Sequence, residues 1–371
     1  MNLYHQNFGR MNEDQMEGDV SVRDSSSSSS YEYDLLDAFK HPIQIEVFIS
    51  AFVWSVSFLT VTGNVLVLSS FARDVRLRSK VCNLFLFNLA SADLIVGVIS
   101  LTFNNIWRYY GNWPFGETLC RLWLVVDYTA TLQSTFAITL ISFDRYLMVI
   151  LEVRYQAFLT RRKAVVCIIL TWVTALMFYG IPILGYDHWN SKYPLVNYSV
   201  TCEFAVLNIF SYNVIILIVA FTIPGILLVY FNVMVFMDIR KRSQGLVRSG
   251  KVAPMQISTI STAYPLQDSS QCAHHRMVAK RKLRRDKKAA MKLAMIVITY
   301  VICWLPYYIT QLIYVAYNKD KNISWRVWMA VYYMVWLNSA LNPCLYAIAS
   351  PRMRGNFYAL LFCGKKKTYN S

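Results

Sequence analysis

Leu122-Trp123-Leu124-Val125-Val126-Asp127-Tyr128 sets a carboxylate inside an apolar run, and Asp144-Arg145-Tyr146 stands near the end of the same block, about Leu119–Ile150. On one α-helix, rising ~1.5 Å per residue, the two acids lie about 25 Å apart. The hydrocarbon of a bilayer is ~30 Å thick. One carboxylate therefore falls near one face of a membrane, and the acid–arginine pair near the other.

The rest of the chain repeats the apolar theme. Of 371 residues, 56% are hydrophobic and 16% charged, with a mean hydropathy of +0.35; soluble domains average roughly 45–50% and ~25%. Further blocks at about Val47–Ala72, Val81–Ile106, Ala164–Gly185, Ala205–Met237, Ala289–Tyr317 and Val327–Ser350 each reach the ~20 residues a spanning helix needs. The expected fold is an all-α membrane protein, a seven-transmembrane helix bundle over 46–350. A net charge of +16 invites a nucleic-acid reading, but the charge is not spread as that needs. It clusters between alternate blocks: Arg73–Lys80, Arg161–Lys163, Arg240–Arg242, Arg276–Lys292 and Lys365–Lys367. By the positive-inside rule these segments and the carboxyl terminus are cytoplasmic. No nucleic acid is expected as a partner.

Residues 1–45 are polar, with a Ser25–Ser30 run and several acids, and read as a disordered extracellular tail. No apolar signal-peptide core opens the chain, so the first span is expected to serve as its own insertion signal. Asn197-Tyr198-Ser199 and Asn322-Ile323-Ser324 match the glycosylation sequon in outer loops. Of eight cysteines, only Cys120 and Cys202 fall outside under this topology, the one pair placed to oxidise. No spacing suggests a zinc site. The stretch at about 240–286 reads as a polar, then basic, cytoplasmic loop, a surface for a cytoplasmic partner and for anionic membrane lipid. Residues 351–371 read as a short amphipathic cytoplasmic helix and tail, with Cys363 as a palmitoylation site.

Asp93 lies near the middle of the second block, where a lone carboxylate costs at least ~2.5–3.5 kcal/mol. Either it is protonated and bonded to its neighbours, or it is a cation or proton site. We favour the second, with Ser134, Asn338, Ser339 and Asn342 as oxygen-bearing partners suited to a hard monovalent ion. Pro224, Pro306 and Pro343 interrupt the last three blocks and predict kinks that leave room for a cavity.

These motifs together resemble the rhodopsin-like class of G-protein-coupled receptors from Val47 to Cys363. They stand in order: Gly63-Asn64, Leu89-Ala90-Ser91-Ala92-Asp93, Cys120, Asp144-Arg145-Tyr146, Trp172, Pro224, Cys303-Trp304-Leu305-Pro306 and Asn342-Pro343-Cys344-Leu345-Tyr346. Within the class, Asp127 resembles the amine-anchoring aspartate of biogenic-amine receptors. A protonated amine in a low-dielectric pocket needs an ionised partner, and aromatic faces share its charge at ~0.5–2 kcal/mol each. Tyr128, Trp304, Tyr307, Tyr308, Tyr332 and Trp336 would form that cage, with Thr131, Phe204 and Ala220 also against the ligand.

Trp123–Tyr128, Tyr230-Phe231-Asn232 and Trp336 look most like Gi-coupled histamine receptors; Leu140–Tyr146 is equally like muscarinic acetylcholine receptors. The histamine subgroup carries an acid in the fifth span four residues before the proline, where this chain has Ala220. Thr135 and Tyr300 replace the usual isoleucine and phenylalanine below the ligand. The resemblance implies an amine agonist, a Gi/o heterotrimeric G protein, arrestin and receptor kinases as partners. It places the chain in the plasma membrane, amino terminus outside, with no cofactor beyond sodium as an allosteric ion at Asp93. Asp144, Arg145, Tyr146, Asp286, Asn342, Pro343 and Tyr346 would form the switch. Rival readings fare worse. A retinal pump needs a lysine in the seventh span, a transporter usually shows repeated halves, and an enzyme needs a nucleophile–base or metal motif; none is found.

Overall fold

A computed structural model describes residues 43–189, 201–252, 268–316 and 323–362. Seven long helical rods run through these residues. The first is Ile43–Arg73. The second is Cys82–Ile95, a π-turn Val96–Ser100 and Leu101–Tyr110. The third is Gly116–Leu151 and the fourth Arg161–Trp189. The fifth is Phe210–Ile216, a π-turn Leu217–Thr222 and Ile223–Val252. The sixth is Asp268–Ala316 and the seventh Trp325–Ala349, followed by an eighth helix, Pro351–Leu361.

Five of the seven rods are individually apolar enough to cross a bilayer. The third and seventh are long enough but more polar, and their position explains it. The third packs on the second, fourth and fifth spans at once, and the seventh on the first and sixth. Their polar side chains point inward: Gln133, Ser134, Thr135, Asn338, Ser339 and Asn342 are all buried. Large apolar residues such as Phe58, Leu170 and Ile226 instead face out. Apolar outside and polar inside is the arrangement a lipid solvent selects.

The rods end where local chemistry stops them. Gly111 (φ 73) gives the second span a left-handed cap, its N–H donating to the Trp107 carbonyl. Ser350 caps the eighth helix by accepting from the Met353 N–H, with Pro351 in its first turn. Gly63 lets the first and seventh spans touch, because a β-carbon there would lie 2.8 Å from Pro343 Cγ.

Three boundaries differ from the sequence reading. The first helix begins at Ile43, inside the stretch assigned to the tail. Ala205–Asn208 is a 3-10 turn, so the fifth span starts at Phe210. The loop assigned to about 240–286 is largely helix: the fifth rod continues to Val252 and the sixth resumes at Asp268. Hydropathy marks that stretch as polar, but its lysines, arginines and alanines are good helix formers. Asn197, Asn322 and Cys363 lie outside the described residues, as does the side chain of Asp286.

Candidate ligand pocket and polar core

The third span supplies the pocket's acid, and it packs on the second, fourth and fifth rods along its length. Asp127 is 4% exposed, and among the described residues its carboxylate oxygen Oδ1 has no hydrogen-bond partner. Polar groups near it include Ser100, Trp336 and Thr131. The cavity beneath it is lined by Tyr128, Thr131 and Thr135 of the third span, Ile216 and Ala220 of the fifth, Trp304, Tyr307 and Tyr308 of the sixth, and Tyr332 and Trp336 of the seventh. The rings hold one another: Tyr332 meets Trp336 at 4.5 Å between centroids, Tyr307 meets Tyr332 at 6.0 Å, and Trp304 stacks on Tyr308 at 5.7 Å. Among the described residues, Thr131 Oγ1, Thr135 Oγ1 and Trp304 Nε1 are also buried without partners. One acid, two hydroxyls, an indole N–H and a wall of rings suit a small cation carrying an apolar body.

The fifth-span wall is apolar. Ala220 sits in the π-turn, and its carbonyl accepts from the Tyr300 hydroxyl at 3.3 Å. Tyr300 is fully buried and stacks with Phe221 at 5.9 Å. Phe204 does not line this cavity. It packs on Tyr128 at 5.1 Å and lines a second cavity above, next to the Cys120–Cys202 disulfide.

The second, third and seventh rods meet at Asp93, which is fully buried. Ser134 and Ser339 each donate to its Oδ1 at 2.8 Å, and Asn342 donates to Oδ2 at 2.7 Å. Asn338 is buried nearby in the seventh span, but no hydrogen bond joins it to Asp93 among the described residues. Among the described residues, the Oδ1 atoms of Asn338 and Asn342 are buried without partners. Spare carbonyl oxygens around a carboxylate fit a hard monovalent cation.

At the other end of the third span, Arg145 Nε approaches Asp144 Oδ2 at 3.9 Å, and Tyr155 donates to Asp144 Oδ1 at 2.5 Å. Burial, then the bond to Asp144, hold the Tyr155 hydroxyl well above its ordinary pKa, so it remains a donor. Tyr146 packs on Phe231 at 5.3 Å, and Tyr346 is buried in the seventh span beside Pro343 of the same helix.

The description "7 transmembrane receptor (rhodopsin family)" matches residues 63–346. The chain belongs to that family. It is a seven-transmembrane receptor of the rhodopsin family. It is 29% identical to the octopamine receptor beta-1R of Drosophila melanogaster, over 85% of this chain and 64% of that protein. It is 29% identical to the alpha-1D adrenergic receptor of Rattus norvegicus, over 86% and 58%. With the histamine H4 receptor of Mus musculus it shares 27% over 84% and 91%. The alignments thus span about three fifths of the first two relatives' length.

Sequence reasoning missed several of the receptor's contacts. Tyr179 and Leu207 also line the inner cavity; a lone tyrosine in the fourth span carries no motif that would mark it. Arg242 at the end of the fifth span pairs with Glu152 and Asp238, both at 2.5 Å, and donates to the Val149 carbonyl at 2.8 Å. Glu152 has φ 43, a conformation few non-glycine residues adopt. Asp74 accepts from Arg352 Nε at 2.8 Å and from Asn356 at 3.3 Å, fastening the eighth helix to the first cytoplasmic turn.

Proposed function

We propose that this receptor binds a small protonated, histamine-like amine from outside the cell and activates a heterotrimeric G protein of the Gi/o type. The observation that carries the reading is the unpartnered oxygen of buried Asp127 under the rings of Tyr128, Trp304, Tyr307, Tyr308, Tyr332 and Trp336. An ammonium there gains a charge-assisted hydrogen bond and ring contacts of ~0.5–2 kcal/mol each. The names of the relatives, histamine H4, octopamine and adrenergic receptors, are those of amine receptors.

The amine repacks the rings around Trp304, the sixth helix pivots near Pro306, and its cytoplasmic end swings out. At rest Arg145 is held by Asp144 and by Asp286; release opens the cleft for the G protein, and arrestin and receptor kinases act on the open form. A ligand shifts this equilibrium only by its differential affinity for the two states. A sodium ion held by Asp93, Ser134, Ser339, Asn338 and Asn342 would supply charge that favours the resting state. The receptor sits in the plasma membrane with its amino terminus outside, as the basic inner segments indicate.

A quaternary ammonium, as in acetylcholine, is the second reading. Ala220 and Ile216 offer no acid or hydroxyl to a ligand's far end, and an aromatic cage suffices for a quaternary ammonium. The test is G-protein nucleotide exchange with histamine, acetylcholine, serotonin, dopamine, octopamine and tyramine, using Gi, Gs and Gq in parallel. Exchange on Gi with histamine or acetylcholine supports the reading and chooses between its forms. Silence to every amine, with intact basal exchange, contradicts it.

A further inference from the structure

One side chain joins the fifth rod to the start of the second inner loop. Arg242, on the helix Ile223–Val252, engages through all three guanidinium nitrogens. Nη1 pairs with Glu152 Oε1 and Nε with Asp238 Oδ2, both at 2.5 Å, and Nη2 donates to the Val149 carbonyl at 2.8 Å. Asp238 lies four residues earlier on the same helix, so it orients the guanidinium for the other two contacts. The Val149 carbonyl is one of the last four of the third helix, Gly116–Leu151. Such carbonyls have no partner within their own helix, and a cation beside them meets the negative end of its dipole. A single exposed ion pair is weak. Here three contacts share one planar fork, so the entropy of ordering it is lost only once.

The fork holds a strained point of the chain. Glu152 ends the third helix with φ 43 and ψ −103, and among the described residues it is the one non-glycine with positive φ. A residue with a β-carbon keeps such a backbone only where its surroundings impose it. From there the chain turns through Glu152–Arg154 into the short helix Tyr155–Phe158. Tyr155 then bonds to Asp144, the neighbour of Arg145. Arg242, Glu152, Tyr155 and Asp144 thus make one line of contacts from the fifth rod to the acid–arginine pair. The same rod carries Ile216 and Ala220 in the wall of the amine pocket.

We infer that Arg242 is a positioning residue for G-protein activation: its fork pins the second inner loop in the resting shape. A shift of the fifth rod's inner end breaks the three contacts together, lets Glu152 relax to an ordinary backbone and draws Tyr155 off Asp144. This rests on the reading that the receptor activates a G protein. The test is basal nucleotide exchange on Gi, Gs and Gq by the purified full-length receptor, with amide hydrogen exchange measured on the same samples. The variants are Arg242→Gln, Glu152→Gln, the two combined, and Arg242→Lys. Each glutamine variant is expected to raise basal exchange about fivefold. The double variant goes no further than Arg242→Gln alone, because both changes remove the same pair. Arg242→Lys keeps the charge without the fork and falls between wild type and Arg242→Gln. Amides of 152–158 exchange faster in the glutamine variants, while those of 127–138 in the third span do not change. Unchanged basal exchange in both single variants, or effects that add in full, overturns the clamp. A fall in basal exchange assigns the contact to the active state and overturns it as well. If no G protein responds to any form of the receptor, the coupling reading fails. Amide exchange then decides the clamp alone, and protection of 152–158 that survives Arg242→Gln removes it.

Discussion

Asn342 donates a 2.7 Å hydrogen bond to the Asp93 carboxylate and so ties the seventh span to the second at the centre of the bundle. With Ser134 and Ser339 on the other oxygen, the acid holds three rods together. Among the described residues the Asn342 carbonyl oxygen beside it has no partner.

That geometry predicts a sodium effect. Thermal unfolding of the purified receptor in sodium chloride, compared with N-methylglucamine chloride at equal ionic strength, should show stabilisation that grows with sodium concentration, as mass action requires. Asp93→Asn should abolish the difference. A sodium response that persists in the variant would remove the cation from this site.

The contact between Gly63 and Pro343 leaves no room for a methyl group. A β-carbon on Gly63 would lie 2.8 and 2.9 Å from Pro343 Cγ and Cβ, and a proline ring cannot swing aside. Gly63→Ala should therefore push the first and seventh spans apart and destabilise the receptor by about 1–3 kcal/mol. The check is the melting temperature of the variant against wild type. An unchanged value would mean the two spans slide past one another at no cost.

Asp74 is 4% exposed and caps its own short helix by accepting from the Arg76 N–H. It also receives Arg352 and Asn356 from the eighth helix. Arg352 is partly exposed, so solvent screening discounts the ion pair to about 1 kcal/mol. Asp74→Asn should speed amide hydrogen exchange in 351–361 roughly fivefold while leaving the third span unaffected. Uniform exchange across both regions would show that the eighth helix is held by other contacts.

Tyr155 restrains the acid beside Arg145. Its 2.5 Å bond to Asp144 is lost in Tyr155→Phe without a change of shape. Removing one such bond, about 1 kcal/mol, should move the resting equilibrium several-fold. Basal nucleotide exchange on the G protein is the readout, and it should rise. A fall would mean that the bond belongs to the active state.

Much of this arrangement could be read from the residues. The spans follow from length and hydropathy, and Cys120 and Cys202 from which loops face outward. Three of the four partners expected for Asp93 do bond to it, because polar groups inside a bilayer have few other places to go. Asn338 is buried in the same span but makes no hydrogen bond to Asp93 among the described residues: burial says that a polar residue faces the bundle, but not which neighbour it meets. Phe204 lines the outer rather than the inner cavity, since its position depends on how a loop folds back through a disulfide. Arg242 and Glu152 lie 90 residues apart, and no local pattern links them. The helical ends of the fifth and sixth rods were hidden by their charge, because hydropathy reports a membrane boundary rather than a helix boundary.

The central claim is that the buried Asp127 carboxylate is the counter-ion of the activating ligand. The most direct measurement is a concentration–response curve for the most effective amine on wild type, Asp127→Ala and Asp127→Glu, with surface expression matched. The account predicts that Asp127→Ala abolishes the response while basal exchange persists, and that Asp127→Glu keeps a response at reduced potency. A full response in Asp127→Ala would contradict it.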